Sequence, residues 1–450
     1  MPRLLERIGI VAFRRVAAAT RPGGPVTPRR GAGRPGSEQE AYCGVFRWTF
    51  AGTFPPLLPI PHFLAFSREV RYNPTMRRYP PYDPPEYLAW SPDAGLVRAY
   101  RQQVRSDAER RAVVESLDEA GLLALYEGLL RNRLHDLMLK RWVRQGVISK
   151  AWLGTGEEAV TIGSVHALDR GRDVVAPMIR NAGACHEFGM PVEDMFRGYL
   201  GTADSPTGGR DLHIGDPARG VIQPISHVAD MVPVMAGVAL AFRVRREPRV
   251  ALTWIGDGAT KTTACHEGIN LAAVWKVPAI FVIQNNQVAL GTRLDQHGAG
   301  DFRAWPKMYG IRGAVADGNN VLDVYAATRL AADRARAGDG PTLLVVETFR
   351  MGGHATHDEA EARRTFPAEL FEYWGRRDPI GLYEEYLVGE GIGRDVLEAV
   401  EARVTEEVDR AAERALASRD GGMPAPESAE FAGISAGVRQ PGLAARTGAR

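Results

Sequence analysis

RVALTWIGDGATKTTACHEGINLAAVWKVPAIFVIQNNQV, residues 249–288, decides how the rest of this sequence is read. An apolar run at 250–255 stops at Gly256-Asp257-Gly258. A helical spacing then carries Ala264, Ile269, Leu271, Ala272 and Trp275 towards one side, and a second apolar run at 278–283 ends at Gln284-Asn285-Asn286. This is the pattern of strand, crossover helix and strand. A right-handed crossover makes the two strands parallel, so Asp257 and Asn286 emerge at one carboxyl edge of a sheet, where open α/β folds bind ligands. The expected class is α/β, a mostly parallel sheet with helices on both faces.

At that edge one carboxylate oxygen, one amide oxygen and a nearby main-chain carbonyl suit magnesium, which prefers oxygen donors and shares its octahedron with phosphates. Gly256 and Gly258 let the backbone turn sharply and approach a phosphate closely. A bare Gly-Asp-Gly is a common turn. The strand before it, the helix after it and the Asn-Asn beyond supply the context that turns it into a diphosphate site.

The segment resembles the thiamine diphosphate signature, Gly-Asp-Gly followed by about thirty residues and Asn-Asn. More closely it resembles the alpha subunit of the first component of 2-oxo acid dehydrogenases, of the branched-chain or pyruvate type, over residues 122–387 or so. The resemblance implies a thiamine diphosphate-binding fold with thiamine diphosphate and Mg2+ as cofactors. It implies Asp257, Asn286 and the carbonyl of Val288 as metal ligands, with Gly258 and Ala259 against the diphosphate. The family usually carries Tyr or Trp where Val288 stands, a change that spares a backbone ligand but removes an aromatic wall.

Upstream, residues 174–179 read as a short buried strand with Arg180 at its end. An arginine there can clamp a diphosphate bidentately. Arg180-Asn181-Ala182-Gly183 resembles the Tyr-Arg-x-x-Gly element of the family, nearest its branched-chain form, with Ile179 in place of Tyr; the resemblance assigns Arg180 to the diphosphate. Gly208, Gly209 and His213 resemble the element that covers the cofactor's organic half. Residues 226–233 resemble the segment that holds the aminopyrimidine, with backbone groups of Ser226 and Val228 bonding the ring and the Val228 side chain wedging the cofactor into a bend. Asp230 and Met231 replace the residues expected there, which argues against a potassium site of the branched-chain type. Pro233 opens a small-residue helix in which Gly237 and Ala241 permit close packing.

Glycines before a histidine, as in Arg350-Met351-Gly352-Gly353-His354, let a loop present imidazole to a pocket, and imidazole suits proton exchange near neutral pH. By resemblance His354 is the catalytic histidine beside the diphosphate and reacting carbon. Ala355 stands where animal enzymes carry a serine modified by kinases, so that position has no hydroxyl to phosphorylate. Gly154-Thr155-Gly156-Glu157-Glu158-Ala159 resembles the family's Gly-Gln-Glu-Ala turn, with Glu157 for Gln and a structural role expected. His135 reads as a helix-face residue, His186 has no assignment, and Asp317-Gly318-Asn319-Asn320 reads as a turn and helix N-cap.

The 450 residues are 45% hydrophobic and 24% charged, with a net charge of +2, which gives no ground for nucleic acid or membrane partners. There is no apolar run of about 20 residues to span a bilayer. Cys43, Cys185 and Cys265 lack metal-ligand spacing and fit a reducing compartment without disulfides. Residues 1–95 are Pro- and Arg-rich and read as a partly disordered extension rather than a transit peptide, 96–390 as the thiamine diphosphate-binding domain, 391–420 as a C-terminal helix and 421–450 as a disordered tail. A bacterial-type cytoplasmic location is expected ahead of the mitochondrial matrix.

Only one diphosphate-type sheet fits in the chain, while the resemblance requires a glutamate on the pyrimidine nitrogen that the family takes from a beta subunit. The expected assembly is two alpha and two beta chains that decarboxylate a 2-oxo acid, branched-chain favoured, and pass its acyl group to a lipoyl-bearing acyltransferase. A pyruvate or acetoin dehydrogenase alpha subunit is the alternative, and a non-catalytic partner that keeps the fold is the reading from another class.

Overall fold

The computed structural model describes residues 90–424. The expectations for the N-terminal extension up to residue 89, for Cys43 and for the tail from 425 onward lie outside the described residues. Five strands form one parallel sheet in the order β1-β2-β3-β7-β6: β1 (Val174–Ala176), β2 (Ala251–Gly256), β3 (Ala279–Asn285), β6 (Arg312–Asp317) and β7 (Thr342–Glu347). A separate antiparallel hairpin joins β4 (Val288–Ala289) to β5 (Thr292–Arg293).

The central strands are apolar throughout because the sheet is covered on both sides, and alternation divides each run between two cores. Leu252, Trp254, Ile280, Val282, Leu344 and Val346 face one way and meet Val324, Ala327 and Ala331 of the helix Val321–Arg336. Ala251, Ile255, Phe281, Ile283, Leu343 and Val345 face the other, against Met235 and Ala239 of the helix Met231–Arg245 and Ile269 and Ala272 of the helix Thr263–Val274. Full burial of such a Val, Ile, Leu or Phe side chain contributes about 1.5–3 kcal/mol. Two dry layers therefore hold the register that aligns the strand ends.

Three local expectations change. The first strand ends at Ala176, since Pro177 cannot donate to a ladder, and Arg180 follows in a turn rather than at the strand's end. On the crossover helix the inward residues are Cys265, Gly268, Ile269 and Ala272, while Leu271 and Trp275 are 40% and 48% exposed. Leu271 is turned away from the direction on which those four residues centre, and Trp275 is the C-cap, beyond the last helical residue Val274. Gly237 and Ala241 also lie on an exposed face, with nothing within 4 Å of a Cβ built at Gly237. The close approach falls to Gly268 instead, where a Cβ would stand 2.6 Å from the backbone nitrogen of Pro233.

A third apolar cluster lies on the helix Glu119–Arg144, capped by Asp118, whose side chain accepts from Gly121 N–H at 2.8 Å. Leu125, Leu129, Leu130, Leu134 and Met138 pack there with Leu397, Val404, Val408 and Ala411 of the helix Arg394–Gly421. Within this helix Arg133 is fully buried and pairs with Glu158 through a very short contact and with Asp378 at 3.0 Å. Burial alone would depress its pKa, but the carboxylates of Asp378 and Glu158 outweigh that and raise it. Glu158 accepts from Gly156 N–H at 2.9 Å through its other oxygen, and Asp378 caps the helix Pro379–Gly389. One guanidinium thus fixes the turn at 154–157 to two helices.

Candidate active site

In the pairing of β2 with β3, Gly256 lies opposite Gln284, so the chain leaves the sheet at Asp257 and at Asn285-Asn286 side by side. Asp257 is buried. Its Oδ1 accepts from Gly258 N–H at 2.9 Å, while Oδ2 is buried with no hydrogen-bond partner among the described residues and lies 3.6 Å from His297 Nε2. Burial raises its pKa, against the pull of the Gly258 N–H, His297, Arg180 and Arg350. A buried carboxylate oxygen without a partner is costly. A cation at Oδ2 removes that cost.

Asn286, also buried, donates from Nδ2 to Glu157 Oε1 at 2.9 Å, which turns its Oδ1 away from Glu157. That oxygen faces the backbone of Val288, whose N–H lies 3.4 Å away. Val288 is buried at the start of β4. No group of three or more His, Cys, Asp or Glu side chains among the described residues could hold a metal. The donors at this edge are accordingly one carboxylate with amide and carbonyl oxygens, the set that suits magnesium.

The turn itself admits no side chain. A Cβ at Gly258 would stand 2.4 Å from Ala289 Cβ in the hairpin, and one at Gly256 would stand 3.1 Å from Arg180 Nη2. Ala259 opens a single 3-10 turn, Ala259–Lys261. Arg180, with 10% of its side chain exposed, lays its guanidinium over Gly256 and brings Nε to 3.2 Å from Glu157 Oε2.

Arg350, after β7, is buried, donating from Nη2 to Leu290 O at 2.8 Å and from Nε to Gly352 O at 3.2 Å. Burial, with Arg180 close by, lowers its pKa to about 10. Beyond the strand ends, Thr348 N–H donates to Asn285 O at 3.0 Å and Arg350 N–H to Asn286 O at 3.4 Å. The loop that follows is tied down by Met351 N–H to Thr155 O at 3.2 Å, Ala355 N–H to Asp358 Oδ1 at 3.0 Å and Thr356 N–H to Ala151 O at 2.9 Å.

His354 stands half-buried in this loop, its pKa lowered to about 4 by burial and by Arg350 and Arg180. We expect its imidazole resonances to titrate near pH 4 rather than at the ordinary value of about 6.5. Because the folded pKa is the lower one, the unfolded chain takes up the proton first. Stability from this group is complete above about pH 6.5 and falls as pH drops towards the folded value. A titration midpoint at or above the ordinary value would refute a neutral imidazole at this position.

Asn286 and Arg180 are thus joined through Glu157, and the charges of Arg180 and Arg350 act on both Asp257 and His354. Ser226 and Val228 stand apart on an exposed segment, Val228 being 58% exposed and Ser226 Oγ lying 3.4 Å from His213 Nε2. No hydrogen bond links either to the buried group among the described residues. Ala229, with φ of 66°, holds the segment in a left-handed kink that alanine adopts only under constraint. Sequence reasoning missed Glu157, Arg350 and His297. Two adjacent glutamates, Glu157 and Glu158, in the run 154–163, and a second arginine just past a buried strand, were the available signals.

The family model for the dehydrogenase E1 component matches residues 128–422. The alpha subunit of 2-oxoisovalerate dehydrogenase from Bacillus subtilis is 33% identical over 314 residues, 68% of this chain and 92% of that protein. The mitochondrial 2-oxoisovalerate dehydrogenase alpha subunit of Mus musculus is 32% identical over 61% of this chain and 62% of its own length. The pyruvate dehydrogenase E1 alpha subunit of Acholeplasma laidlawii is 33% identical over 61% of this chain and 77% of its own length. Fold, strand-edge site and match together define an oxidoreductase of the 2-oxo acid dehydrogenase class. The chain belongs to the dehydrogenase E1 component family, among its alpha subunits. No helix among the described residues is long and apolar enough to cross a membrane.

Proposed function

We propose that this chain holds thiamine diphosphate through Mg2+ and, with a beta subunit, decarboxylates a branched-chain 2-oxo acid and passes the acyl group to a lipoyl-bearing acyltransferase. The observation that carries the reading is the buried Oδ2 of Asp257, without a hydrogen-bond partner among the described residues, at the end of the strand next to the one that the buried Asn286 follows, together with two buried guanidiniums. Asp257 Oδ2, Asn286 Oδ1 and the Val288 carbonyl are the oxygen donors for the ion, and the Gly258-Ala259 turn and Arg180 meet the diphosphate. Ser226 and Val228 receive the organic end on the exposed segment. Bound there, thiamine diphosphate supplies the carbanion and the electron sink that decarboxylation needs.

The chain's own residues provide the setting. Arg180 and Arg350 bring positive charge to a buried place, where it attracts a phosphate more strongly than it does in water. His354, kept neutral by burial and then by those same arginines, offers an imidazole nitrogen lone pair to a proton near the reacting end. The glutamate for the pyrimidine comes from the beta subunit, in an assembly of two alpha and two beta chains.

The branched-chain preference rests on the Arg180-Asn181-Ala182-Gly183 element and the segment 226–233. Pyruvate is the second reading, because relatives named for either substrate match at nearly equal identity. The test is release of CO2 by the chain co-purified with its beta subunit, supplied with the cofactor, magnesium, and either pyruvate or 3-methyl-2-oxobutanoate. We expect kcat/KM for the branched acid to lead by about tenfold or more, the scale on which apolar pockets discriminate. A lead for pyruvate overturns the substrate choice, and turnover of neither overturns the function.

A further inference from the structure

Glu157 is a fully buried carboxylate that touches both Asn286 and Arg180 of the proposed inorganic site. Its Oε1 accepts from Asn286 Nδ2 at 2.9 Å and from Gln284 Nε2 at 2.5 Å, and its Oε2 lies 3.2 Å from Arg180 Nε. An amide can be turned end for end at little local cost. Here a carboxylate, which only accepts, forces Asn286 to present NH2 to Glu157 and therefore oxygen to the other side. The same carboxylate faces Arg180 Nε as an ion pair, with neither Oε2 nor Nε making a hydrogen bond among the described residues, and the outer nitrogens Nη1 and Nη2 lie over Gly256. The second layer supports this arrangement: Gly156, before Glu157, has a φ of 92°, and a Cβ there would stand 2.6 Å from Met351 Cγ and 2.9 Å from Phe349 O. The neighbouring residue, Glu158, is held by Arg133.

We propose that Glu157 is a positioning residue that sets two contacts at once, aiming the Asn286 oxygen at the metal and the outer nitrogens of Arg180 at the diphosphate. The inference rests on the cofactor reading above. Two features separate it from a purely structural role. Its oxygens do different jobs, so the conservative amide replacement removes one and spares the other. In Glu157→Gln the amide oxygen still accepts from Asn286 and Gln284, but the uncharged NH2 opposes Arg180 Nε instead of attracting it. In Glu157→Ala both partners are released.

The experiment uses the alpha-beta complex, wild type and both variants. It reads four quantities: calorimetric affinity for thiamine diphosphate at saturating magnesium, the magnesium concentration that half-saturates cofactor binding, the melting temperature without cofactor, and kcat at saturating cofactor. For Glu157→Gln we expect affinity for the diphosphate to fall about tenfold with the magnesium midpoint unmoved. For Glu157→Ala we expect both to shift, each by about tenfold or more, and kcat at saturating cofactor to change less than affinity. Wild-type affinity and magnesium midpoint in both variants overturn the proposal. So does a loss in Glu157→Gln that tracks a drop in melting temperature, since that marks a fold defect. If Glu157→Ala does not fold, the split between affinity and magnesium midpoint in Glu157→Gln decides alone. A wild-type complex that binds no cofactor defeats the underlying reading instead, so the two failures are told apart.

Discussion

Asp257→Ala should abolish magnesium-dependent uptake of thiamine diphosphate by the alpha-beta complex, weakening it by more than about 100-fold, beyond what the loss of an outer-shell partner costs. The argument is electrostatic. Asp257 brings the protein's negative charge to a donor set otherwise made of a neutral amide and a carbonyl, and without it the protein offers a hard cation only dipoles, leaving the diphosphate alone to hold it by charge. The stability of the cofactor-free complex should move the other way or not at all. The carboxylate is buried with one oxygen unsatisfied and burial has raised its pKa, so its removal relieves a desolvation cost. Calorimetry and thermal melts of the same preparation make the two readings. Wild-type binding in the variant, or a collapse of the cofactor-free fold, would contradict this account of the residue.

Arg133→Ala should be the most damaging single change away from the site, at about 3–5 kcal/mol of stability, because it strands buried carboxylates that cannot find water. Arg133, Glu158 and Asp378 are all essentially inaccessible, and the guanidinium is what both acids share. The loss should also reach function, because the turn at 154–157 carries Glu157 into the site and Glu158 is pinned to Arg133. Denaturant titration of the variant measures the first effect. Replacing all three with apolar residues of similar volume is expected to recover most of the stability, as buried ion triads commonly allow. A mild effect of the single change would mean the acids find other partners or take up protons at small cost.

The parallel sheet was legible because residues 250–255 and 278–283 are unbroken apolar runs separated by one crossover, and the residues after them carry oxygen donors. The two-layer burial of those strands explains why unbroken runs were the correct signal and alternation was not. Helix faces were less legible. Leu271 and Trp275 are as apolar as the residues that do turn inward, and each stands three residues from an inward one, Gly268 or Ala272, so spacing alone does not separate them.

Glu157 shows a different limit. Its place depends on Gln284 and Asn286 from one stretch and Arg180 from another converging on it, and proximity of that kind has no local pattern. Arg350 is a similar case, since its partners Leu290 and Gly352 lie in a hairpin and a loop rather than in any periodic element.

The main-chain bonds from Thr348 to Asn285 and from Arg350 to Asn286 carry the pairing of β3 with β7 past the end of the ladder. The backbone beside the oxygen donors is therefore immobilised by the scaffold and not by whatever binds. A guest arriving there meets walls already in place, and the entropic toll of association falls on the guest's own torsions and tumbling.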